Sequence, residues 1–290
     1  MKVCGFTIVR NAIKYGYPVV ESIKSILPLC DQMIVAIGNS EDDTLALIKS
    51  IDSRKIVIIE TVWDNTINDG GRVLAIETNK AFDAIKDDFD WCFYIQADEV
   101  VHEKFHAIIG SEMEKWIDQP DVEGLLFNYL HFWGTFDYLG VGREWYRREI
   151  RVIRNNKRIR SYRDAQGFRI DNKKLNVKHI EAYIYHYGWV RPPEIVKSKM
   201  RNFNSFYYSG EKLEEKLDKL TDFDYSEINA VRIFNGTHPK VMEDMVSRLN
   251  WHVQIDERKI KFSLKDYLLF WFEKKFGYRL FEYKNYRIIP

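Results

Sequence analysis

The segment of residues 90–99, DWCFYIQADE, constrains the fold more than any other part of the chain. Its short run of aromatic and aliphatic residues predicts a buried strand. Open α/β sheets bind their ligands beyond the carboxyl ends of strands. The carboxylates of Asp98 and Glu99 could therefore hold a hard cation, Mg²⁺ or Mn²⁺, beside substrate phosphates. The alternative is a strand followed by a helix cap formed by one of these acids.

Strand-like and helix-like segments alternate through the first half of the chain. Strands are predicted at residues 3–9, 32–37, 55–60 and 90–97, and helices at 17–29, 41–51, 72–86 and 103–117. Ser40 is expected to cap the second helix. This βαβαβαβ order predicts an α/β fold with a mainly parallel sheet flanked by helices.

The pattern changes after residue 120. Strands are predicted at 124–132, 149–154 and 181–187 without strong helical patterns between them, so the sheet should continue as a mixed or antiparallel one. Helices are predicted at 194–209, 212–220, 239–250 and 264–276. We therefore divide the chain into a catalytic domain, residues 1–192, and a helical C-terminal extension, residues 193–290.

Composition limits the compartment and the partners. The formal net charge is +1, so no global field selects a partner. The three cysteines, Cys4, Cys30 and Cys92, lack paired or metal-type spacing, which favours a reducing compartment. The sequence starts without a signal-peptide pattern and contains no run long enough to span a membrane. The cytoplasm is the expected location.

Residues 143–178 are strongly basic, with thirteen lysines and arginines against four acids. This segment is either a solvated hairpin or a basic wall that faces a diphosphate, a phosphorylated glycan or an anionic lipid surface. No recognition helix, zinc finger or RNA-binding signature accompanies the charge, so nucleic acid is not an expected partner.

Three segments resemble the family-2 glycosyltransferases, which have the GT-A fold. Residues 6–11, FTIVRN, are similar to the family's first-strand ending "V-[YRK]-N-E", with Ala12 in place of the Glu. Residues 38–44, GNSEDDT, look like its "D-D-G-S-T-D-G-T" turn. Residues 96–99, QADE, match its metal motif "D-A-D-D". The resemblance covers about the first 110 residues and implies a GT-A-like sheet.

The departures from the family pattern concern the donor. The turn position that holds the nucleoside through an Asp in the family is Ile37 or Gly38 here, so a uridine donor does not follow. Gln96 replaces the first Asp of the metal motif. Gln can hydrogen-bond a ribose or a bound water, but it brings no charge.

The resemblance also implies site residues. Asp98 matches the family's metal-coordinating Asp, and His186 stands where GT-A enzymes often add a His ligand, for Mn²⁺ or Mg²⁺. The alternative for His186 is a core histidine hydrogen-bonded to backbone. The residues expected to bind the nucleotide-sugar donor are Ile8, Arg10, Asn11, Asn39, Asp42, Arg72, Gln96 and Ala97.

The implied reaction is an inverting transfer, which requires a carboxylate to take the acceptor's proton. The family's "E-D" pair is missing between residues 124 and 189. Asp164, in the Gly-containing and arginine-rich segment YRDAQGFR, is the expected base. The alternative is a turn Asp paired with Arg163 or Arg169. Further candidates for the base are Glu144, Glu149 and Asp137.

The C-terminal residues 264–289 interleave aromatic and basic side chains. This pattern is typical of a helix at a membrane interface, but the segment could also pack on the catalytic domain or form a homodimer. Peripheral contact with the inner face of a membrane therefore stays open.

The implied function is transfer of a sugar to a glycan or lipid-linked acceptor in polysaccharide biosynthesis. One alternative is a nucleotidyltransferase, although residues 5–14 lack the Gly-rich, Lys-containing phosphate loop that this chemistry uses. The other is a non-catalytic protein that binds nucleotide-sugars or anions, which the substitution at Gln96 keeps open.

Overall fold

A computed structural model describes residues 1–218, 224–256, 258 and 261–290. The strands are β1 Val3–Val9, β2 Gln32–Ile37, β3 Ile56–Glu60, β4 Trp91–Tyr94, β5 Glu99–Val101, β6 Gly124–Trp133, β7 Tyr138–Gly140, β8 Arg148–Arg154, β9 Ile159–Tyr162, β10 Gly167–Ile170, β11 Lys173–Lys174, β12 Asn176–Trp189, β13 Val231–Ile233 and β14 Arg287–Ile288. The α-helices are α1 Val19–Ile26, α2 Thr44–Lys49, α3 Arg72–Asp83, α4 His106–Lys115, α5 Pro193–Ser205, α6 Gly210–Asp218, α7 Glu243–Ser247 and α8 Leu264–Phe276.

The central sheet is parallel in the order β3-β2-β1-β4 and continues through β8, which is antiparallel to both β4 and β6. Strand β6 in turn pairs parallel with β12. All residues of β1 and β4 are buried, as expected for strands covered on both faces. Helices α1, α2 and α4 pack on one face, while α3 and the small sheet of β9, β10 and β11 pack on the other. The predicted fold class, a mixed α/β sheet flanked by helices, is confirmed.

The end of β4 differs from the prediction in a way that matters for the site. The strand ends at Tyr94 instead of residue 97, because the chain turns at Gln96 and Glu99 begins β5. Strand β5 pairs antiparallel with β12 and aligns Glu99 with His186. The metal-motif residues therefore lie in a turn between two strands.

The prediction that Ser40 caps a helix is wrong. Helix α2 begins only at Thr44, after Asp43, and Ser40 Oγ accepts a hydrogen bond from the Asn11 backbone N–H. The serine joins the turn after β2 to the turn after β1, so it connects two loops at the carboxyl edge of the sheet.

The described residues of the C-terminal third form the α-helices α5 to α8 and the short strands β13, which pairs with β7, and β14, which pairs with β12. Helix α8 has the predicted bounds, α7 is shorter than predicted, and residues 219–220 of the predicted helix at 212–220 lie outside the described residues. The domain boundary after residue 192 stays a prediction. None of the described helices combines the length and the apolar composition that crossing a bilayer requires.

Candidate active site

A cavity of about 770 Å³ opens at the carboxyl ends of β1 and β4. Its walls come from β8, the turn between β9 and β10, β12, α5 and the segment 279–286. This is where a partly parallel sheet places its ligands, and the volume lies in the range of small-molecule sites, roughly 300–1,000 Å³. Seven of the predicted site residues line it, namely Ile8, Arg10, Gln96, Ala97, Asp98, Asp164 and His186.

A fully buried ion pair stabilises the floor of the cavity. Arg151 and Glu99 are both fully buried. Arg151 Nε donates a hydrogen bond to Glu99 Oε2 and Arg151 Nη2 donates one to Glu99 Oε1, and both donor–acceptor distances are 2.7 Å. Tyr129 Oη donates to Glu99 Oε1 at 2.8 Å, and the Gln96 backbone N–H donates to Oε2 at 3.1 Å. With both oxygens engaged, Glu99 fixes the turn that carries Asp98 rather than presenting a free carboxylate to a metal.

The same residues hold the turn that carries Asp164. Arg151 Nη1 donates to the Gln166 carbonyl at 3.0 Å, and Gln96 Nε2 donates to the Ala165 carbonyl at 3.3 Å. Gln96, which departs from the family motif, thus connects the end of β4 to this turn. The amide can donate to a carbonyl, whereas an ionised Asp at this position could not.

The backbone on both sides of Asp164 is left-handed, with φ of +54° at Arg163 and +60° at Ala165. Such φ values are uncommon for residues other than Gly, and they persist only where surrounding contacts enforce them. The bonds from Arg151 and Gln96 provide that restraint, so Asp164 lies on a turn with a defined conformation at the cavity wall.

Asp98 is buried and carries a lysine partner. Lys199 Nζ, on α5, donates to Asp98 Oδ2 at 2.9 Å and to the Gly188 carbonyl at 2.8 Å. Burial opposes ionisation of Asp98, but the nearby positive charges, chiefly Lys199, hold the pKa of this carboxyl well below its ordinary value. Burial in turn lowers the pKa of Lys199 to about 8. The pair is charged at neutral pH.

The tautomer of His186 follows from its partners. His131 Nε2 lies 2.7 Å from the Tyr146 carbonyl, and the Nδ1 atoms of His131 and His186 are 3.0 Å apart. Burial lowers the pKa of His131 to about 3 and that of His186 to about 4, so both rings are neutral at pH 7. A carbonyl can only accept, so His131 donates from Nε2 and accepts at Nδ1 from His186. His186 Nε2 is left with a free lone pair.

That lone pair faces Asp98. His186 Nε2 and Asp98 Oδ2 are 3.8 Å apart, and Gly188 borders the gap between them. A Cβ at Gly188 would lie 2.4 Å from His186 Nε2 and 3.0 Å from Asp98 Oδ2. Two electron-rich atoms that face each other are stabilised by a cation between them. The hydrogen bond from His186 Nδ1 to His131 is of the kind that orients metal-binding histidines.

The described residues fit a divalent cation as a two-ligand site. They contain no cluster of three or more His, Cys, Asp or Glu side chains arranged for a metal. Mg²⁺ and Mn²⁺ bind through one or two carboxylates and leave other positions to water and phosphate oxygens, and Mn²⁺ accepts imidazole. Because Lys199 occupies the same oxygen of Asp98, a divalent cation would have to displace it. His186 is not the backbone-bonded core histidine of the alternative, since its partner is His131.

Asp164 and Glu149 also line the cavity. Asp164 Oδ2 accepts a 2.9 Å hydrogen bond from Tyr207 Oη, and in the described part of the chain neither Arg163 nor Arg169 forms an ion pair with it. Burial raises the pKa of Glu149 to about 8, and its Oε2 lacks a hydrogen-bond partner among the described residues. At neutral pH Glu149 is therefore mainly a neutral acid.

Four of the predicted donor-binding residues lie outside the cavity lining: Asn11, Asn39, Asp42 and Arg72. Asn11 adopts a φ of +55° and accepts at Oδ1 from the Glu41 N–H; Asn39 Oδ1 accepts from the Trp63 N–H. Asp42 Oδ2 accepts from the Lys14 N–H, and Arg72 is exposed at the start of α3. The first three shape the loops around the cavity, and the predicted contact of all four with a donor stays a prediction.

The structure adds cavity residues that sequence reasoning missed. Trp63 and Lys199 line the cavity, while His131 and Arg151 lie behind it. Trp63 packs directly against Gly38, since a Cβ there would lie 2.4 Å from the indole Nε1. An aromatic ring thus packs against Gly38, one of the two positions, with Ile37, that the resemblance matches to the family's nucleoside-binding Asp.

The basic segment 143–178 does not form a continuous wall toward an anion. Arg154 and Lys157 donate to backbone carbonyls, Arg158 pairs with Asp171, and Arg160 pairs with Asp83. The basic residues of this segment that line the cavity are Arg143, Arg147 and Arg148. Most of the positive charge therefore stabilises the fold.

Comparisons with protein-family models and with curated proteins found no match. Among solved structures, S. aureus TarS is 15% identical, with a TM-score of 0.40 over 76% of this chain and 42% of that chain. The chain thus spans less than half of TarS. Glucosyl-3-phosphoglycerate synthase from Mycobacterium tuberculosis, in complex with Mn²⁺, UDP and phosphoglyceric acid, is 15% identical, with a TM-score of 0.31 over 45% of this chain and 43% of that chain.

A third solved structure, 4-diphosphocytidyl-2C-methyl-D-erythritol synthase from Anaerococcus prevotii, is 7% identical, with a TM-score of 0.40 over 76% of this chain and 96% of that chain. TarS and the glucosyl-3-phosphoglycerate synthase are glycosyltransferases with a GT-A-like fold, the class that the sequence motifs resemble. At these identities and TM-scores the likeness assigns no ligand and no residue role to this chain.

Proposed function

We propose that the chain transfers a sugar from a nucleotide-sugar donor to a hydroxyl of a glycan or lipid-linked acceptor, with inversion. The proposal rests on one observation: a single cavity contains both parts of the site that such a reaction needs. One is the gap between Asp98 and His186, which suits a cation, and the other is the acidic side chain of Asp164 on a restrained turn. Transfer from a diphosphate needs a positive charge at the leaving group and a base at the acceptor.

The donor diphosphate belongs at the Asp98 end of the cavity. Lys199 supplies a positive charge there, and Arg10 lies on the cavity wall with its guanidinium 5.8 Å from the Trp63 ring. Trp63 provides an apolar surface for the nucleoside where the family's Asp is missing. The proposed donor therefore binds through its diphosphate and through stacking, without a carboxylate for the nucleoside.

Asp98 and His186 would hold Mn²⁺ or Mg²⁺ together with oxygens of the diphosphate. A divalent cation there would stabilise the negative charge of the departing diphosphate. The protein's part is to keep both ligands in the correct form. Lys199 and its neighbours keep Asp98 ionised, and His131 keeps the Nε2 lone pair of His186 directed at the gap.

Asp164 is the proposed base. The acceptor oxygen forms the new bond to the anomeric carbon, and the bond from that carbon to the diphosphate oxygen breaks. Its electron pair leaves with the nucleoside diphosphate, and the hydroxyl proton passes to Asp164. Tyr207 holds Asp164 through Oδ2, and Glu149 lies nearby with a raised pKa. A protonated Glu149 does not compete for the proton, so Asp164 is favoured over Glu149.

A second candidate is a non-catalytic protein that binds nucleotide-sugars. The observation in its favour is the ion pair of Lys199 with Asp98, which already neutralises the carboxylate that would bind a metal. Such a protein would bind nucleoside diphosphates without transfer.

The experiment is a survey of nucleotide-sugars with candidate acceptors and Mn²⁺, in which release of the nucleoside diphosphate is measured for the wild-type chain and for Asp164→Asn. The proposal expects release with at least one donor and its loss in the variant. A donor that raises the melting temperature of the protein but is never consumed would favour the binding protein instead.

A further inference from the structure

Helix α8 presents an apolar stripe to solvent. Leu264, Tyr267, Leu268 and Trp271 are exposed at 87%, 54%, 64% and 49%, and they follow the spacing i, i+3, i+4, i+7. This spacing places them on one face of a helix. We call these four residues the α8 face. Scattered exposed apolar residues are ordinary, but a contiguous patch of this kind marks an interaction surface.

The opposite side of α8 is attached to the protein. Glu273, roughly half a turn away from the α8 face at about 100° per residue, pairs with Arg279 at 2.8 Å, Arg143 at 3.2 Å and Arg147 at 3.4 Å. The three arginines fix the rotation of the helix about its axis. The α8 face is therefore exposed while the helix is held against the rest of the protein.

Exposed aromatic residues continue along the chain from α8 to residues that line the cavity. Helix α8 ends at Phe276 and is capped by Gly277, with a φ of +68°. Beyond it, Tyr278, Phe281 and Tyr283 are all exposed. Phe281, exposed at 87%, and Tyr283 also line the cavity. One surface thus joins the α8 face to the cavity entrance.

The charges beside the α8 face are mainly positive. Lys265, Lys274 and Lys275 are exposed, and none of them pairs with an acid in the described part of the chain. Lys274 lies over the Phe270 ring at 4.8 Å and Lys275 over the Trp271 ring at 4.8 Å. The nearby acids Glu273 and Glu282 are neutralised by arginines. Asp266, on the side of the helix away from the α8 face, accepts a hydrogen bond from Ser263 Oγ at 2.6 Å and forms no ion pair in the described part of the chain.

We propose that the α8 face docks on the surface of an anionic lipid bilayer. Aromatic and aliphatic side chains flanked by lysines suit the boundary between headgroups and acyl chains, because the rings enter the boundary while the ammonium groups stay at the phosphates. A second copy of this chain is the weaker candidate. Two such faces in contact would bring their lysines together, and the acids described nearby are either paired with arginines or, like Asp266, lie on the other side of the helix.

Docking would bring Phe281 and the cavity mouth to the bilayer surface. This consequence rests on the proposed function: an acceptor carried on a membrane lipid could then reach Asp164 without leaving the bilayer. The docking itself is independent of catalysis and is tested without any sugar substrate.

The test is co-sedimentation of the full chain with vesicles of two compositions, pure phosphatidylcholine and equal parts of phosphatidylcholine and phosphatidylglycerol. The first variant carries Leu268→Glu and Trp271→Glu, and the second carries Lys274→Gln and Lys275→Gln. Val62→Glu is the matched control, because Val62 is an apolar residue exposed at 73% outside the α8 face and the cavity lining. Circular dichroism melting confirms that each variant folds.

The wild type and Val62→Glu should bind the anionic vesicles. The double Glu variant should bind at least about tenfold more weakly, because two large apolar side chains no longer enter the interface. The double Gln variant should lose roughly ten- to thirtyfold, and added salt should weaken wild-type binding.

Three results would overturn the proposal: no binding by the wild type, equal binding to both vesicle compositions, or unchanged binding by the double Glu variant. Sedimentation velocity adds a fourth. A wild-type dimer that the double Glu variant dissociates, without vesicle binding, would show that the α8 face joins two copies of the chain.

Discussion

Lys199 Nζ lies 2.9 Å from Asp98 Oδ2, the same oxygen that faces the lone pair of His186 Nε2 at 3.8 Å. The ammonium thus neutralises the carboxylate at the one position where a metal ion would bridge it to the imidazole. Under the proposed function, cation binding at this site would exchange one positive charge for another. In the proposed site the ion would gain Asp98 and His186, and Lys199 would be released toward the cavity, where it could contact the phosphates of a donor.

We predict that His131→Phe weakens Mn²⁺ binding by about 10–100-fold, the usual effect of losing the hydrogen bond that orients a metal-binding histidine. Without the Nδ1 acceptor of His131, His186 is no longer held in the tautomer that directs its lone pair at Asp98. The measurement is a calorimetric titration with MnCl₂. His106→Phe, which removes a histidine bonded to the Ser25 carbonyl elsewhere in the fold, is the control. Equal Mn²⁺ affinity in wild type and His131→Phe would remove His186 from the metal site.

Asp164→Asn should reduce turnover by about 10²–10⁴-fold, the typical contribution of a positioned base, and should leave the affinity for the nucleoside diphosphate unchanged. Glu149→Gln should change turnover by less than about tenfold, since a protonated Glu149 and a Gln present similar groups to the cavity. The measurement is the initial rate at saturating donor. If Glu149→Gln is the inactive variant and Asp164→Asn retains activity, the role of base belongs to Glu149.

Glu149 should make stability depend on pH in a defined direction. Its pKa is about 8 in the folded chain and near its ordinary value of 4.5 when unfolded, so the folded state binds the extra proton between these two values. The free energy of unfolding contributed by this group is then greatest below pH 4.5 and falls as the pH rises toward 8, with a slope of at most about 1.4 kcal/mol per pH unit.

Urea denaturation of wild type and Glu149→Gln at several pH values isolates this effect, because the other titrating groups cancel in the difference. The stability of the wild type relative to the variant should fall from pH 5 to pH 8. A difference that does not change with pH would mean that Glu149 is ionised in the folded state.

Removing one partner of the Glu99–Arg151 pair should lower the free energy of unfolding more than replacing both partners with apolar residues. Arg151→Met leaves a fully buried carboxylate without its partner, and we expect a loss of about 3–5 kcal/mol in the free energy of unfolding. The double variant Glu99→Met, Arg151→Met should be more stable than Arg151→Met alone, since no uncompensated charge remains. Urea denaturation measures both. A double variant less stable than Arg151→Met would show that the hydrogen bonds of Glu99 to Gln96 and Tyr129 matter more than the charge.

Patterns within single segments predicted much of the fold. Strands β1 and β2 and helix α8 have the bounds that their apolar patterns predict, because propensity and burial agree there. Strand β5 was missed because three residues are too few for a periodic pattern, and its existence depends on pairing with β12. For the basic segment the sequence left a hairpin as one of two interpretations, and its charge pattern gave no bounds for the antiparallel strands β9, β10 and β11.

The candidate site was likewise predicted only in part, because some of its contacts depend on long-range packing. The predicted ligands Asp98 and His186 do approach each other, because β5 and β12 pair. Lys199 had no sequence signal, since a lysine in a helix is ordinarily solvated and only the packing of α5 brings it to Asp98. The Glu99–Arg151 pair joins residues 52 positions apart, and a single sequence gives no indication of which of many arginines meets a given acid.

The most direct measurement of the central claim is calorimetric binding of nucleoside diphosphates, with and without Mn²⁺, to wild type, Asp98→Asn and Lys199→Met. The account predicts that Mn²⁺ strengthens binding to the wild type and that Asp98→Asn abolishes this gain. Lys199→Met should bind Mn²⁺ more tightly in the absence of nucleotide, because no ammonium competes for Asp98, while Lys212→Met, on an exposed helix, should behave like the wild type. A gain from Mn²⁺ that persists in Asp98→Asn, or nucleotide binding that never depends on Mn²⁺, would contradict the account.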